Sequence, residues 1–247
     1  MVFVDDDFAI IVEVVKGGRA IYDNIIKFVR FQLSTNVSAI GTILGASLLG
    51  WPVPFTPLQI LWVNLIADGP PAITLGTDTP DDRVMLRPPV PPGSAILPGH
   101  RIARIGFTGA VMATSLLLLF WGSLQYYDIP VSDFATDYDS YSSSARLVLT
   151  MMFTTFVFQQ LFNVFNARTE TESILRDRVP NRALTIVVAL LFVAQLCVVE
   201  LGFLQAIFRT VDLSVIQIIV CVAIAAVVLV TEESRKAIDR ALARRER

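Results

Sequence analysis

The sequence predicts an all-α membrane protein with six transmembrane helices, the first of which continues from a long cytoplasmic stalk helix. Of its 247 residues, 54% are hydrophobic and only 17% are charged, whereas soluble domains carry about a quarter charged residues. The mean hydropathy of +0.62 agrees with this, and several apolar runs reach the ~20 residues that cross ~30 Å of hydrocarbon. The formal net charge of −2, with no basic face, predicts no nucleic-acid partner. The expected surroundings are a lipid bilayer.

The residue pattern over 8–32 predicts a cytoplasmic stalk helix. Apolar residues recur there at helical spacing among charged ones, and the charged residues fade as the first span begins. One continuous helix of ~40 residues would be ~60 Å long, with Gly17-Gly18 as a weak point. Such a helix can link a soluble domain to a membrane site.

Six segments are apolar enough to span the membrane. They cover residues 33–50, 57–76, 105–126, 147–166, 183–203 and 211–231. All of the 20 basic residues except Arg146 and Arg209 then fall on one side of the membrane. By the positive-inside rule that side is the cytoplasm. The sequence thus predicts a multi-pass integral membrane protein with both termini cytoplasmic, ending in a basic tail over residues 232–247.

The second span holds an ionisable residue and a helix breaker at membrane depth. Asn64 and Asp68 are four residues apart and share a helix face, and Gly69-Pro70-Pro71 follows at once. A charge at this depth costs at least ~2.5–3.5 kcal/mol and indicates function. The prolines remove two backbone donors, so the carbonyls they release need other partners. A carboxylate, an amide oxygen and free carbonyls are ligands of a hard cation, and broken spans are where transporters bind ions.

Further polar side chains lie in the first and fourth spans. Helix-to-helix hydrogen bonding explains any one of these amides equally well. Gln160 and Asn163 are therefore weaker candidate ligands than the Asn64 and Asp68 pair. The remaining polar residues are Ser34, Thr35, Asn36 and Ser38 in the first span, and Gln159 and Asn166 in the fourth.

Three stretches carry a family resemblance: VFVDDDFAIIVEVVKGGRAIYDNIIKFVRFQLSTNVSA at 2–39, LQILWVNLIADGPPAITLG at 58–76, and RPP at 87–89. They resemble calcium-transporting P-type ATPases, from the end of the phosphorylation domain through the last six spans. STNVSA and ILWVNLIADGPPA are most similar to the secretory-pathway calcium/manganese pumps, and next to the plasma-membrane calcium pumps. The resemblance makes residues 1–7 the remnant of the end of the phosphorylation domain. Residues 33–231 correspond to the six-span cation-transporting ATPase C-terminal domain.

The resemblance implies that Asn36, Asn64 and Asp68 bind the transported cation, Ca²⁺ or Mn²⁺. Backbone carbonyls and a glutamate from an earlier span complete the site in the family. Two-ion members carry an acidic residue where this chain has Ala39, a threonine where it has Ala67, and a third acidic ligand at Gln160. The resemblance therefore implies a single ion per cycle.

The sequence holds no D-K-T-G phosphorylation motif and no nucleotide-binding domain. ATP and Mg²⁺ would act only through domains absent from this chain, which is not expected to be catalytically competent alone. Three hypotheses stay open. The chain is the C-terminal membrane part of a pump, the ion-binding half of a split pump whose N-terminal part is a separate chain, or a non-catalytic remnant or accessory subunit.

Overall fold

A computed structural model describes residues 8–79, 82–86, 88–89, 91, 95–134, 141–170, 173 and 181–245. All regular secondary structure within these ranges is helical, which confirms the predicted all-α class. The predicted remnant at 1–7 lies outside the described residues, as do parts of the loops that follow the second and third spans.

Helix α1 (Phe8–Leu48) is one uninterrupted helix of 41 residues, as the sequence predicts. Several of its hydroxyl groups near the membrane donate hydrogen bonds to the helix's own backbone. Ser34 Oγ donates to the Arg30 carbonyl at 2.7 Å, and Thr42 Oγ1 donates to the Ser38 carbonyl at 2.8 Å. Such back-bonding lets a helix carry hydroxyl groups into apolar surroundings. The stalk and the first span therefore form one continuous helix.

The second predicted span is broken into α2 (Pro57–Trp62), a π-helical turn (Val63–Ala67) and α3 (Gly69–Gly76). The Asp68 N–H donates to the Val63 carbonyl at 2.9 Å, one residue further back than in an α-helix. The sequence predicts that the helix is interrupted at Gly-Pro-Pro itself. The irregular turn instead lies before these residues. The prolines occupy the first turn of α3, in which a missing N–H is tolerated.

Five further α-helices follow in the described part of the chain, and two short 3₁₀ turns cover Asp82–Leu86 and Val131–Phe134. The helices are α4 (Gly99–Tyr126), α5 (Ser143–Arg168), α6 (Arg182–Glu200), α7 (Gly202–Phe208) and α8 (Val215–Arg245).

Among the described helices, α4, α5, α6 and α8 are long and apolar enough to cross a membrane. The other two predicted spans are the polar end of α1 and the interrupted α2–α3 segment. The end of α1 is too polar to qualify as a membrane span by composition. The α2–α3 segment does not qualify because no single helix in it is long enough. The number of six spans therefore stays a prediction, and the two exceptions are the segments that carry the strongest candidate ligands.

Helix α5 is the centre of the bundle. It is buried along nearly its whole length and packs against α1, α3, α4, α6 and α8. Next to α5, helices α1 and α4 approach each other closely because Gly109 of α4 has no side chain. A Cβ at Gly109 would lie 2.6 Å from Val37 Cγ1 and 2.9 Å from the Ser34 carbonyl oxygen. Small residues commonly allow such contacts in membranes.

Helix α8 continues well past residue 231, where the sequence predicts that the last span gives way to a tail. Glu232 and Lys236 are both buried. Glu232 accepts a hydrogen bond from Thr108 of α4, and Lys236 Nζ donates to Thr169 Oγ1 at 2.9 Å. The charged residues after the span are thus packed against α4 and the end of α5, which keeps the helix intact.

Candidate cation site

Asp68 follows the π-helical turn directly and has only 1% of its surface exposed. Its Oδ2 accepts a hydrogen bond from Gln32 Nε2 of α1 at 3.3 Å. Its Oδ1 has no hydrogen-bond partner among the described residues. Burying a carboxylate with an unpaired oxygen is costly, and unsatisfied groups of this kind concentrate at functional sites.

The other predicted ligands of the first two spans belong to the two elements that meet at this carboxylate. Gln32 and Asn36 are four residues apart on one face of α1, so Asn36 is one turn away from the contact to Asp68. Asn64 is in the π-helical turn, four residues ahead of Asp68. Both asparagines are exposed in this chain, whereas Asp68 is buried.

Helix α5 approaches α1 at Ser34, within the turn of α1 that holds Gln32. Asn163 Nδ2 donates to Ser34 Oγ at 2.8 Å, and both residues are buried. This hydrogen bond accounts for Asn163 as a helix-to-helix contact.

Gln160 is different. It is fully buried, and neither its amide oxygen nor its amide nitrogen has a partner among the described residues. The hydroxyl of Ser38, also fully buried, is in the same condition. Of the two weaker candidates from the fourth span, Gln160 is thus the one whose whole amide group has no partner among the described residues.

The backbone of the broken span supplies further oxygen. Pro70 and Pro71 carry no N–H, so two carbonyls in the preceding turn lose their helical donors. Within the described part of the chain, no three His, Cys, Asp or Glu side chains come together as a metal centre. Asp68 would therefore share a cation with amide and carbonyl oxygens, a ligand mixture typical of calcium sites.

A second buried aspartate, Asp78, escaped the sequence reasoning. It accepts hydrogen bonds from Lys27 Nζ at 2.7 Å, Arg168 Nε at 3.0 Å and Asn181 Nδ2 at 2.9 Å. Burial by itself would raise the pKa of Asp78, but the hydrogen bonds and charges of Arg168 and Lys27 outweigh it and hold the pKa below its ordinary value. The side chain fastens the end of α3 to α1, α5 and the start of α6.

No local signal marks this cluster in the sequence. The donors are 51, 90 and 103 residues away from Asp78 in the sequence. In the sequence, Lys27 and Arg168 indicate only which side of the membrane is cytoplasmic. Gln32 also escaped notice, although its spacing of four residues from Asn36 would have placed it on the same face.

Comparison with known proteins gives a consistent result. Residues 52–238 match the family described as "Cation transporting ATPase, C-terminus". The chain is 34% identical over 241 residues to calcium-transporting ATPase type 2C member 1 of Homo sapiens, covering 97% of this chain and 25% of that protein. It is 35% identical over 245 residues to type 2C member 2 of Mus musculus, with coverages of 99% and 24%.

A fungal relative is similarly close. Identity to calcium-transporting ATPase 1 of Schizosaccharomyces pombe is 32% over 237 residues, covering 96% of this chain and 25% of that protein. The chain thus spans about a quarter of the length of the relatives it matches.

Proposed function

Because this chain belongs to the cation-transporting ATPase family and matches its C-terminal region, we propose that it is the membrane part of an ATP-driven pump for Ca²⁺ or Mn²⁺. The transported ion binds between α1 and the broken α2–α3 segment, at Asn36, Asn64 and Asp68. ATP and Mg²⁺ act in other domains of the pump. The three relatives named above are calcium-transporting ATPases, which supports the choice of ion.

One observation carries the proposal: the unpaired Oδ1 of Asp68, buried beside a π-helical turn. A carboxylate that served only to hold helices together would have both oxygens hydrogen-bonded, as buried polar groups generally are. An oxygen kept free at membrane depth is available to a ligand. Since the nearby groups are amides and carbonyls, the ligand is a hard cation.

The site is expected to hold one ion. Ala39 and Ala67 present methyl groups where the resemblance to two-ion pumps would require oxygen ligands, and Ala67 is buried beside Asp68 with 1% exposure. Gln160 supplies a neutral amide in place of a third carboxylate. A second divalent cation would therefore have too little negative charge around it.

The exposure of Asn36 and Asn64 supports an N-terminal part of the pump as partner. Polar side chains inside a membrane almost always face other protein or a water-filled cavity. Two exposed amides next to a buried carboxylate thus mark a face on which further spans pack and complete the site. Both termini of this chain are expected in the cytoplasm, where the stalk half of α1 meets the phosphorylation domain.

Helix α1 offers the route from that domain to the ion. It contacts Asp68 through Gln32 and Asp78 through Lys27, so both contacts are on one rigid element. A shift of the stalk would move these two anchors together. Phosphorylation in the phosphorylation domain of the pump would then change the position of Gln32 and Asn36 relative to Asp68 and alter ion access.

The test is ATP-dependent uptake of radioactive Ca²⁺ and Mn²⁺ into vesicles that contain the assembled pump. Asp68→Asn keeps the size of the side chain and removes its charge, and is expected to abolish uptake. Glu200→Gln, at an exposed position at the end of α6, is the matched control and should leave uptake intact. Unchanged uptake by Asp68→Asn would refute the site and favour a non-catalytic remnant or accessory subunit.

Equilibrium binding of the same ions to the assembled pump tests the stoichiometry separately. We expect one ion per pump, lost in Asp68→Asn. Two ions per pump would overturn the single-site proposal while leaving the assignment of Asp68 standing. An upstream reading frame that encodes D-K-T-G would support a split pump.

A further inference from the structure

A groove of about 770 Å³ opens between α4 and α8. It follows α4 from Ser115 to Tyr127 and α8 from its first turn to Val227, and Met151 of α5 lies at its floor. Neither the candidate cation site nor the Asp78 cluster contributes a residue to it.

The two helices are antiparallel and pinned together on both sides of the groove. At one end Gln217 Nε2 donates to Tyr127 Oη at 2.8 Å. Beyond the other end Thr108 donates to Glu232. Between these points Gly122 faces open space, because a Cβ there would meet no atom within 4 Å. The gap is therefore held open by fixed contacts at both ends.

The lining changes character along the groove. The tyrosine hydroxyl of Tyr127 and the amide of Gln217 lie at one end, where α4 ends and α8 begins, and Tyr126 is beside them. The rest is mostly apolar, with the hydroxyls of Ser115 and Ser123 as the exceptions, and its walls include Leu118 and Ile216, which are 60% and 74% exposed. No described residue that lines the groove is charged. Tyrosines of this kind mark the membrane–water interface.

We propose that this groove binds one phospholipid, with an acyl chain along its apolar part and the headgroup at Tyr127 and Gln217. Both walls are helices that can cross a membrane, so the groove opens toward hydrocarbon. The change from polar to apolar lining matches an amphiphile that enters from the interface. Because the polar end offers only neutral hydrogen-bonding groups, the site does not distinguish a zwitterionic from an anionic headgroup.

Native mass spectrometry of the full chain, purified in mild detergent after exchange into either phosphatidylcholine or phosphatidylglycerol, tests the proposal. Gly122→Phe fills the groove. Gly106→Phe is the control, since Gly106 is on the same helix, also faces open space, and lies outside the groove. We expect one retained phospholipid per chain in the wild type and the control, with both lipids, and at least a fivefold loss in Gly122→Phe.

Equal retention in all three proteins would overturn the proposal, as would a second copy or another polypeptide in place of the lipid. Circular dichroism and size exclusion establish that each variant is folded. Where Gly122→Phe does not fold, Ile216→Trp narrows the groove from the opposite wall and must give the same fivefold loss.

Discussion

Asp68 and Asp78 are ten residues apart, at the two ends of the same short helix, and both are buried, with exposures of 1% and 4%. Their surroundings are opposite. Asp78 is held by a lysine, an arginine and an asparagine from three other helices. Asp68 has one amide donor at 3.3 Å and a free oxygen.

The difference separates a structural carboxylate from a candidate ligand. A buried charge is tolerated when donors satisfy it, and is costly when they do not. Asp78 is the satisfied case, so its loss should damage the fold. Asp68 is the unsatisfied case, so its charge should matter to an ion more than to folding. The predictions below test this contrast in the purified chain.

The largest effect is expected from Asp78→Ala. It leaves the cations of Lys27 and Arg168 partly buried without their carboxylate, and breaking a buried pair in this way costs about 3–5 kcal/mol. At the lower end of this range, thermal unfolding in detergent should show Tm reduced by roughly 6–12 °C. Asp212→Ala, at an exposed position, is the control. A shift of about 2 °C is the smallest expected for a loss of 1 kcal/mol. If the Tm of Asp78→Ala stays within about 2 °C of wild type, Asp78 has no structural role.

Acid should weaken the same cluster. The pKa of Asp78 is lower in the folded chain than its ordinary value. Its stabilising contribution is therefore complete above the unfolded pKa and is lost as the pH falls below about 4. We expect the Tm difference between wild type and Asp78→Asn to be constant above about pH 5 and to shrink progressively as the pH falls below about 4, toward the lower pKa of the folded state.

A Tm difference that stays constant below about pH 4 would contradict the lowered pKa. Glu170 does not contribute to the Tm difference, because it is present in both wild type and Asp78→Asn. Although burial tends to raise the pKa of Glu170, the positive charges of Arg30, Arg101 and Arg104 lower it overall. It therefore adds the same acid sensitivity to each curve.

A smaller loss is expected from Asn181→Ala. Asn181 donates to Asp78, and its side-chain oxygen accepts from the Leu184 N–H at 2.8 Å as the N-cap of α6. Loss of a cap costs about 1 kcal/mol, and loss of the hydrogen bond about as much again. Differential scanning calorimetry should show Asn181→Ser, which keeps a capping oxygen, between wild type and Ala. Equal destabilisation by Ser and Ala would show that the cap contributes nothing.

The smallest effect on stability is expected from Asp68→Asn, the substitution that should abolish ion transport. It removes a buried charge that has few partners, and the amide oxygen can still accept from Gln32. The unfolding free energy should stay within about 0.5 kcal/mol of wild type, or rise. A loss comparable to that of Asp78→Ala in the same denaturation assay would show that the two aspartates do not differ.

Features that depend on neighbouring residues could be predicted from the sequence. The continuous α1 follows from helical spacing between Phe8 and Leu48, and the broken second span follows from two prolines at membrane depth. The position of the break was misjudged. Prolines fit the first turn of a helix, so the irregular backbone moved to the turn ahead of them. Helix α8 also continues beyond the predicted end of the last span, where Glu232 accepts a hydrogen bond from Thr108 of α4.

Whether a given polar side chain is engaged or free could not be predicted in this way. Asn163 and Gln160 are three residues apart on α5 and looked equivalent. The structure pairs Asn163 with Ser34, at a separation of 129 residues, and leaves Gln160 without a partner among the described residues. Pairings of that kind depend on how helices pack, which no local pattern of residues contains.

By itself the sequence determined that the protein lies in a membrane, that its second span is broken, and that Asp68 lies at the break. These properties are local, since hydrophobicity summed over ~20 residues and the missing N–H of proline act through the chain itself. Only the tertiary structure decided which carboxylate is free. Lys27, Arg168 and Asn181 donate hydrogen bonds to Asp78, whereas among the described side chains Gln32 alone donates to Asp68. The physical reason is that a buried charge is defined by its donors, and helix packing brings those donors from distant parts of the chain.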